Sequence, residues 1–180
     1  MKTTEILIAG FGGQGILFSG KFLAYKGLTE DRQVSWLPSY GPEMRGGTAN
    51  CNVILSDTPV GSPIITTPDV LIAMNTPSLQ KYVNTVASGG QIYVDSSLID
   101  VKVERDDVSV FYIPATQMAK DEGIGTLANM IIVGHLLENH PELSFEGVAD
   151  VVEKLVPPKK AALKELNMKA LSLGKNYESN

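Results

Sequence analysis

Positions 5–16 of the 180-residue chain read Glu-Ile-Leu-Ile-Ala-Gly-Phe-Gly-Gly-Gln-Gly-Ile, and this segment limits the possible folds more than any other. Its apolar run at 6–8 is typical of a strand buried on both faces, as in a parallel sheet. Gly10, Gly12 and Gly15 follow in the spacing G-x-G-x-x-G, which permits a tight turn and a close approach of a ligand to the backbone. The backbone N–H groups at the start of the following helix favour anions. The segment therefore predicts a strand, a glycine turn and a helix.

The rest of the chain alternates between strand and helix patterns. We predict strands at 5–9, 34–37, 48–56, 70–74, 91–95 and 108–113, and helices at 13–26, 77–87, 115–121, 126–138, 145–155 and 159–177. We expect Gly27 to end the first helix and Pro38 to stop the second strand, and Asn-Thr-Pro-Ser at 75–78 is typical of a helix start. Such alternation is typical of a mostly parallel sheet with helices on both faces. The expected fold is a three-layer α/β/α, Rossmann-like arrangement with a helical C-terminus, formed by one domain over residues 1–180.

Composition excludes several classes of function. The net charge of −5 and the pI near 5.0 argue against nucleic-acid binding, which needs a basic face. No apolar run approaches the roughly 20 residues that span a bilayer, and no signal-peptide pattern precedes the first strand, so we expect a cytoplasmic protein with no membrane partner. A single cysteine, Cys51, cannot form an internal disulfide or hold an iron–sulfur cluster alone.

A second unusual segment spans residues 39–47, Ser-Tyr-Gly-Pro-Glu-Met-Arg-Gly-Gly. It is predicted to be a loop because it contains four glycine or proline residues and no periodicity, yet it carries Tyr40, Glu43 and Arg45. Arg45 offers a planar fork for a carboxylate or phosphate. Loops at the carboxyl ends of strands gather at one edge of a doubly wound sheet, so these side chains could stand beside the glycine turn. The alternative is a surface loop in which Glu43 and Arg45 pair for little energy.

A nicotinamide dinucleotide site is disfavoured by the residues after the second predicted strand. Such sites place a carboxylate there, about 20 residues beyond the glycine turn, to bind the ribose. Glu30 and Asp31 lie near that distance but precede the strand, and Pro-Ser-Tyr follows it. The glycine spacing alone is therefore weak evidence for a dinucleotide.

The other reactive side chains form no recognisable catalytic group. Cys51, in a strand with no histidine nearby in sequence, is expected to be buried and inert. His135 and His140 are five residues apart and match no metal motif, so both are interpreted as structural or solvent-facing. Asn129, in an apolar helix, could cap a neighbouring loop or contact a ligand, with packing slightly favoured. We expect no metal site and no catalytic residue in the isolated chain.

Three segments together resemble a known family. They are Gly-Phe-Gly-Gly-Gln-Gly-Ile at 10–16, Ser-Tyr-Gly-Pro-Glu-Met-Arg-Gly-Gly-Thr-Ala at 39–49, and the run from Val53 to Pro63, with a further match at 129–134. In this order they resemble the gamma subunit of 2-oxoacid:ferredoxin oxidoreductases, most closely the 2-oxoglutarate (KorC-like) type. The second motif is long and specific, and the resemblance spans nearly the whole chain.

This resemblance implies a subunit of an enzyme whose chemistry is carried by its partners. The complex would convert a 2-oxoacid and coenzyme A into an acyl-CoA, carbon dioxide and reduced ferredoxin. Thiamine diphosphate with Mg²⁺ would lie between alpha and beta subunits, and iron–sulfur clusters elsewhere, including in a possible ferredoxin-like delta subunit. This chain would bind no cofactor alone. We expect it to contribute an edge facing the shared active site or the coenzyme A path, formed by Gly12, Gly13, Gln14, Gly15, Tyr40, Glu43 and Arg45.

Two alternatives stay open from the sequence. One is a free-standing Rossmann-like nucleotide-binding protein, either a dehydrogenase or a ligand-binding regulator. The other is a module that only docks partner subunits. Within the family, related chains serve pyruvate, branched-chain 2-oxoacids or indolepyruvate, so the resemblance favours 2-oxoglutarate without fixing it.

Overall fold

The computed structural model describes residues 2–39 and 48–179. Six strands run in chain order as β1 (Thr3–Phe11), β2 (Gln33–Ser39), β3 (Thr48–Ser56), β4 (Val70–Ala73), β5 (Gln91–Asp95) and β6 (Ser109–Ile113). The helices are α1 (Ile16–Thr29), α2 (Thr76–Tyr82), α3 (Ala115–Asp121), α4 (Ala128–Asn139), α5 (Val148–Leu155) and α6 (Ala161–Lys175). Short 3₁₀ segments follow α2 at Val83–Thr85 and precede α6 at Pro158–Lys160.

The strands form one sheet in the order β2-β3-β1-β4-β5-β6. β1, β4, β5 and β6 are parallel to one another, whereas β3 runs antiparallel to both of its neighbours, β1 and β2. The α/β fold with a helical C-terminus is confirmed, and the sheet is mixed through β3 alone among the described strands. Apolar periodicity fixes which residues are strands but not their direction, so the sequence did not reveal the reversal of β3.

Alternate residues of each central strand enter two separate cores. In β1, Ile6 and Ile8 face a large core shared with α1, α3, α4, α5 and α6, while Leu7 faces a smaller core under α2. All three side chains are nearly inaccessible to solvent. Burial on both faces explains why this strand reads as a continuous apolar run, and it confirms helices on both faces of the sheet.

α4 and α6 cross in close contact at two glycines. A Cβ on Gly134 would lie 2.1 Å from the Leu171 carbonyl oxygen, and a Cβ on Gly174 would lie 1.8 Å from that of Ile131. Only glycine fits at such contacts with backbone atoms. Beside the crossing, buried His135 places Nδ1 3.0 Å from the Gly174 carbonyl oxygen, which fixes the two helices together.

Two local predictions are wrong for physical reasons. Gly27 was expected to end α1, but the helix continues to Thr29, and Gly27 instead lets the side chain of Leu55 approach the helix backbone. Pro38 was expected to stop β2, yet it lies inside the strand. β2 is at the edge of the sheet, where a residue without an N–H is tolerated.

Among the described residues, no helix combines the length and apolar character needed to span a bilayer.

Candidate functional site

The glycine turn lies where the sheet changes its winding direction. β1 and β4 are parallel neighbours, but β1 leads into α1 on one face and β4 leads into α2 on the other. The carboxyl ends of these two strands therefore border a crevice, the position where open α/β sheets bind ligands. Gly12 to Gly15 follow β1 at this edge. Asn75 follows β4, and its side-chain Oδ1 accepts a 2.8 Å hydrogen bond from the Ser78 N–H at the start of α2. The sequence predicted this helix start but not its place at the site.

Gln14 ties the turn to the neighbouring strand. Its side-chain Oε1 accepts a hydrogen bond from the Phe11 N–H at 2.6 Å, and its Nε2 donates to the Met74 carbonyl oxygen at 2.9 Å. A Cβ on Gly10 would lie 2.6 Å from this Oε1, so the absence of a side chain at position 10 makes room for the amide. Gln14 was predicted to belong to the edge facing the shared active site or the coenzyme A path, and this stays a prediction. Its side chain shapes the turn at that edge.

Asn129 holds the turn from the other side. This residue of α4 is only 3% exposed, and its Nδ2 donates to the Gly15 carbonyl oxygen at 3.1 Å and to Ser19 Oγ at 2.9 Å. The sequence-based interpretation that Asn129 caps a neighbouring loop is thus confirmed, with 114 residues separating it from Gly15. Gly15 itself has φ of 74°, and a Cβ there would lie 2.5 Å from the Asn129 Nδ2, so both its backbone and its surroundings require glycine.

The turn keeps several hydrogen-bond donors available. Within residues 2–39 and 48–179, we find no acceptor for the backbone N–H groups of Gly12, Gly13, Gly15 and Ile16. Gly15 is the N-cap of α1 and provides no side chain to satisfy them. The N–H groups of Gly12 and Gly13 in the turn, with those of Gly15 and Ile16 at the N-terminus of the 14-residue helix α1, suit an anionic group such as a phosphate.

An open cavity of about 300 Å³ adjoins these donors. Its walls are the glycine turn, the first turn of α1 and the start of β3, and they are mainly apolar because they include Phe11, Leu17 and Phe18. Phe11 is 40% exposed, which is high for a phenylalanine. The described part of the site therefore combines backbone donors with an apolar surface.

Tyr40, Glu43 and Arg45 lie outside the described residues, so their position beside the turn stays a prediction. The two ends of that segment are placed by the sheet. Ser39, which ends β2, is paired with Asn50, and Thr48, which begins β3, is paired with Phe11. The segment thus leaves and re-enters the sheet at the edge that carries the glycine turn.

The other candidate side chains have structural surroundings. Cys51 is fully buried, and burial raises the pKa of its thiol to about 12, which confirms an inert cysteine. Burial lowers the pKa of His135, which packs edge-on against Tyr93 and Phe111. Glu30 is the C-cap of α1, before β2, and forms an ion pair with buried Lys26.

No metal centre is evident in the part of the chain described here. Neither its histidines, its cysteine nor its carboxylates come together in a group of three or more suited to an ion. A cavity of about 290 Å³ at the opposite, amino-terminal edge of the sheet is lined by Asp69, His140 and Glu142. Its two carboxylates make it unsuitable for a phosphate-bearing ligand.

Comparison with known proteins identifies the family. The family model described as pyruvate ferredoxin/flavodoxin oxidoreductase matches residues 5–177. The chain belongs to this family. It is 34% identical to the 2-oxoglutarate synthase subunit KorC of Methanothermobacter marburgensis, over 95% of this chain and 94% of that one. It is 36% identical to the ketoisovalerate oxidoreductase subunit VorA of the same organism, over 98% of this chain.

Solved structures agree with this family. The gamma subunit of the keto/oxoacid ferredoxin oxidoreductase from Geobacter sulfurreducens superposes with a TM-score of 0.80 at 31% identity, covering 95% of both chains. The 2-oxoglutarate:ferredoxin oxidoreductase of Magnetococcus marinus, solved with 2-oxoglutarate, coenzyme A and succinyl-CoA bound, gives 0.86 at 25% identity. The match to this structure includes 97% of the present chain but only 31% of the longer Magnetococcus chain. The match to VorA likewise includes 37% of VorA. The resemblance to a gamma subunit is confirmed, and the chain spans about a third of the length of these longer relatives.

Proposed function

We propose that this chain is the gamma-type subunit of a cytoplasmic 2-oxoacid:ferredoxin oxidoreductase, acting as one domain beside alpha and beta subunits, with or without a ferredoxin-like delta subunit. The complex oxidatively decarboxylates a 2-oxoacid with coenzyme A and passes the electrons to ferredoxin. Thiamine diphosphate, Mg²⁺ and iron–sulfur clusters belong to the partner subunits. The full-length match to KorC-type subunits favours 2-oxoglutarate, while the similarity to VorA supports a branched-chain 2-oxoacid as the alternative.

The observation that carries the proposal is the glycine turn at the winding-direction change, within a chain that matches the family over residues 5–177. Coenzyme A is an anionic ligand with a pyrophosphate and a long, less polar arm. The N–H groups of Gly12, Gly13, Gly15 and Ile16 suit the pyrophosphate. The apolar cavity beside Phe11 suits the arm or an apolar group of a partner subunit. Arg45, with Tyr40 and Glu43, completes this edge in the proposal.

The test compares the assembled complex carrying Arg45→Ala with the unaltered complex. If Arg45 binds a phosphate of coenzyme A, its removal deletes charge-assisted hydrogen bonds of about 1.5–3 kcal/mol, so KM for coenzyme A should rise about 10- to 100-fold. The KM for the 2-oxoacid should not change. Arg45→Lys is the matched control, because it keeps the charge and loses the planar fork, and it should give a smaller increase.

A rival within the family is that the turn and the 39–47 segment only dock partner subunits. Arg45→Ala would then weaken association of the subunits, measured by analytical ultracentrifugation, and turnover per assembled complex would be normal. Unchanged assembly, KM and rate would remove Arg45 from the function altogether.

A further inference from the structure

Asn129 occupies an unusual position for a buried amide. It lies in the apolar helix α4, 3% exposed, and its Nδ2 spans to the Gly15 carbonyl oxygen and Ser19 Oγ. Its Oδ1 is buried with no hydrogen-bond partner in the described part of the chain. The reverse orientation of the amide would bring two oxygens together at Gly15, so the contact with that carbonyl fixes which end donates.

Stability alone does not favour an asparagine here. A buried polar atom without a partner costs about 1–3 kcal/mol, which offsets most of the gain from the two bonds that Nδ2 makes. A leucine of similar size would avoid the unpaired oxygen. The reason for an asparagine at position 129 therefore lies in how its hydrogen bond holds Gly15.

The bond to Gly15 fixes a donor of the turn. The Gly15 carbonyl and the Ile16 N–H belong to one planar peptide group and point in opposite directions. The carbonyl oxygen is held from two sides, by the Ser19 N–H at 3.0 Å and by Asn129 Nδ2 at 3.1 Å. Fixing the oxygen fixes the direction of the Ile16 N–H, for which no acceptor is found among the described residues. Asn129 thus sets the direction of the Ile16 N–H, although its own side chain does not reach the crevice.

We infer that Asn129 is a positioning residue for the anionic group bound at the glycine turn, and that it keeps the Ile16 N–H directed at coenzyme A. This inference rests on the proposed function. Gln14 ties the turn to β4 through Met74, and Asn129 ties it to α4 through Gly15, so the turn is held at both ends. Preorganised donors bind more tightly than donors that must be ordered on binding.

The test replaces Asn129 by leucine in the assembled complex and measures steady-state kinetics. Asn129→Leu should raise KM for coenzyme A about 3- to 10-fold, the effect of losing one neutral hydrogen bond. The kcat at saturating coenzyme A and KM for the 2-oxoacid should stay unchanged. Asn129→Ala, which cannot clash with Gly15, should give the same change and serves if the leucine variant does not assemble.

The matched control is Asn167→Leu in α6. Asn167 is also 3% exposed, its Nδ2 donates to the Leu163 carbonyl oxygen at 2.7 Å, and its Oδ1 also lacks a partner in the described chain. It does not contact the glycine turn. A merely structural role of Asn129 predicts equal effects of the two substitutions on KM, whereas the inference predicts an increase only for Asn129→Leu. Equal increases in KM for coenzyme A in the two variants, or no increase in either, would overturn the inference.

A turn variant separates failure of the inference from failure of the proposed function. Gly13 has φ of 90°, so Gly13→Ala strains the turn without meeting any neighbouring atom. If Gly13→Ala raises KM for coenzyme A and Asn129→Leu does not, the site stands and Asn129 does not position it. If neither changes KM, both the coenzyme A site and the role of Asn129 are wrong.

Discussion

Gly174→Ala should destabilise the chain, because the added methyl group has no room between α4 and α6. Its Cβ would lie 1.8 Å from the Ile131 carbonyl oxygen and 2.9 Å from the His135 backbone nitrogen. Real Cβ atoms stay beyond 3.0 Å, so the helices must separate by about 1.2 Å. Because both obstructing atoms belong to the backbone, a change of side-chain rotamer cannot relieve the clash.

The expected change in the free energy of unfolding combines two destabilising contributions and one stabilising contribution. Overpacking a core costs about 1–3 kcal/mol, and weakening the buried bond between His135 and the Gly174 carbonyl oxygen costs about 1–2 kcal/mol more. Alanine in place of glycine within a helix returns about 1 kcal/mol. We expect a net loss of about 1–4 kcal/mol, which for a chain of this size lowers Tm by roughly 2–16 °C.

The assay is urea denaturation of the purified chain followed by circular dichroism, with Gly125→Ala as the control. Gly125 has open space around its Cβ position, so that substitution should change the free energy of unfolding by less than about 1 kcal/mol. Equal stability of Gly174→Ala and the unaltered chain would refute the close crossing of α4 and α6.

Two further predictions concern titratable groups in the core. In the folded chain, Cys51 should react with iodoacetamide at pH 8 at least 100-fold more slowly than a free thiol. The reason is that burial raises the pKa of Cys51 to about 12 and covers its sulfur, and unfolding should restore the reaction. Fast labelling of the native chain would contradict this prediction. Burial lowers the folded-state pKa of His135 from 6.5, so the unfolded state binds the proton more tightly, and stability that is complete above pH 6.5 should fall as the pH is lowered through that value. His135→Gln should reduce the difference between the free energies of unfolding measured in denaturation curves at pH 5 and pH 8. An unchanged difference would show that other groups cause the pH dependence of stability.

The sequence predicted the elements where local signals were strong. β3, β5 and α3 have the predicted bounds because alternating or continuous apolar runs there end at clear polar or proline boundaries. Gly27 was misread because a glycine near a helix end signals termination locally, while its actual reason, the approach of Leu55, depends on the tertiary fold. The direction of β3 was likewise invisible, since side-chain periodicity is the same in either direction.

The candidate site was only partly predictable. The glycine spacing located the turn, and the polar residue in an apolar helix singled out Asn129. The role of Gln14 in shaping the turn was missed because its bonds to Phe11 and Met74 depend on the turn geometry and on a residue 60 positions away, directly after β4. The apolar character of the adjoining cavity also emerged only from the packing of Phe11, Leu17 and Phe18.

The most direct test of the account is to reconstitute the complex with and without this chain and measure ferredoxin reduction that depends on coenzyme A and a 2-oxoacid. We expect no turnover from the chain alone, little from the partner subunits alone, and full activity when they are combined, with 2-oxoglutarate preferred over 2-oxoisovalerate. Full activity of the partners without this chain, or turnover by the chain in isolation, would contradict the account.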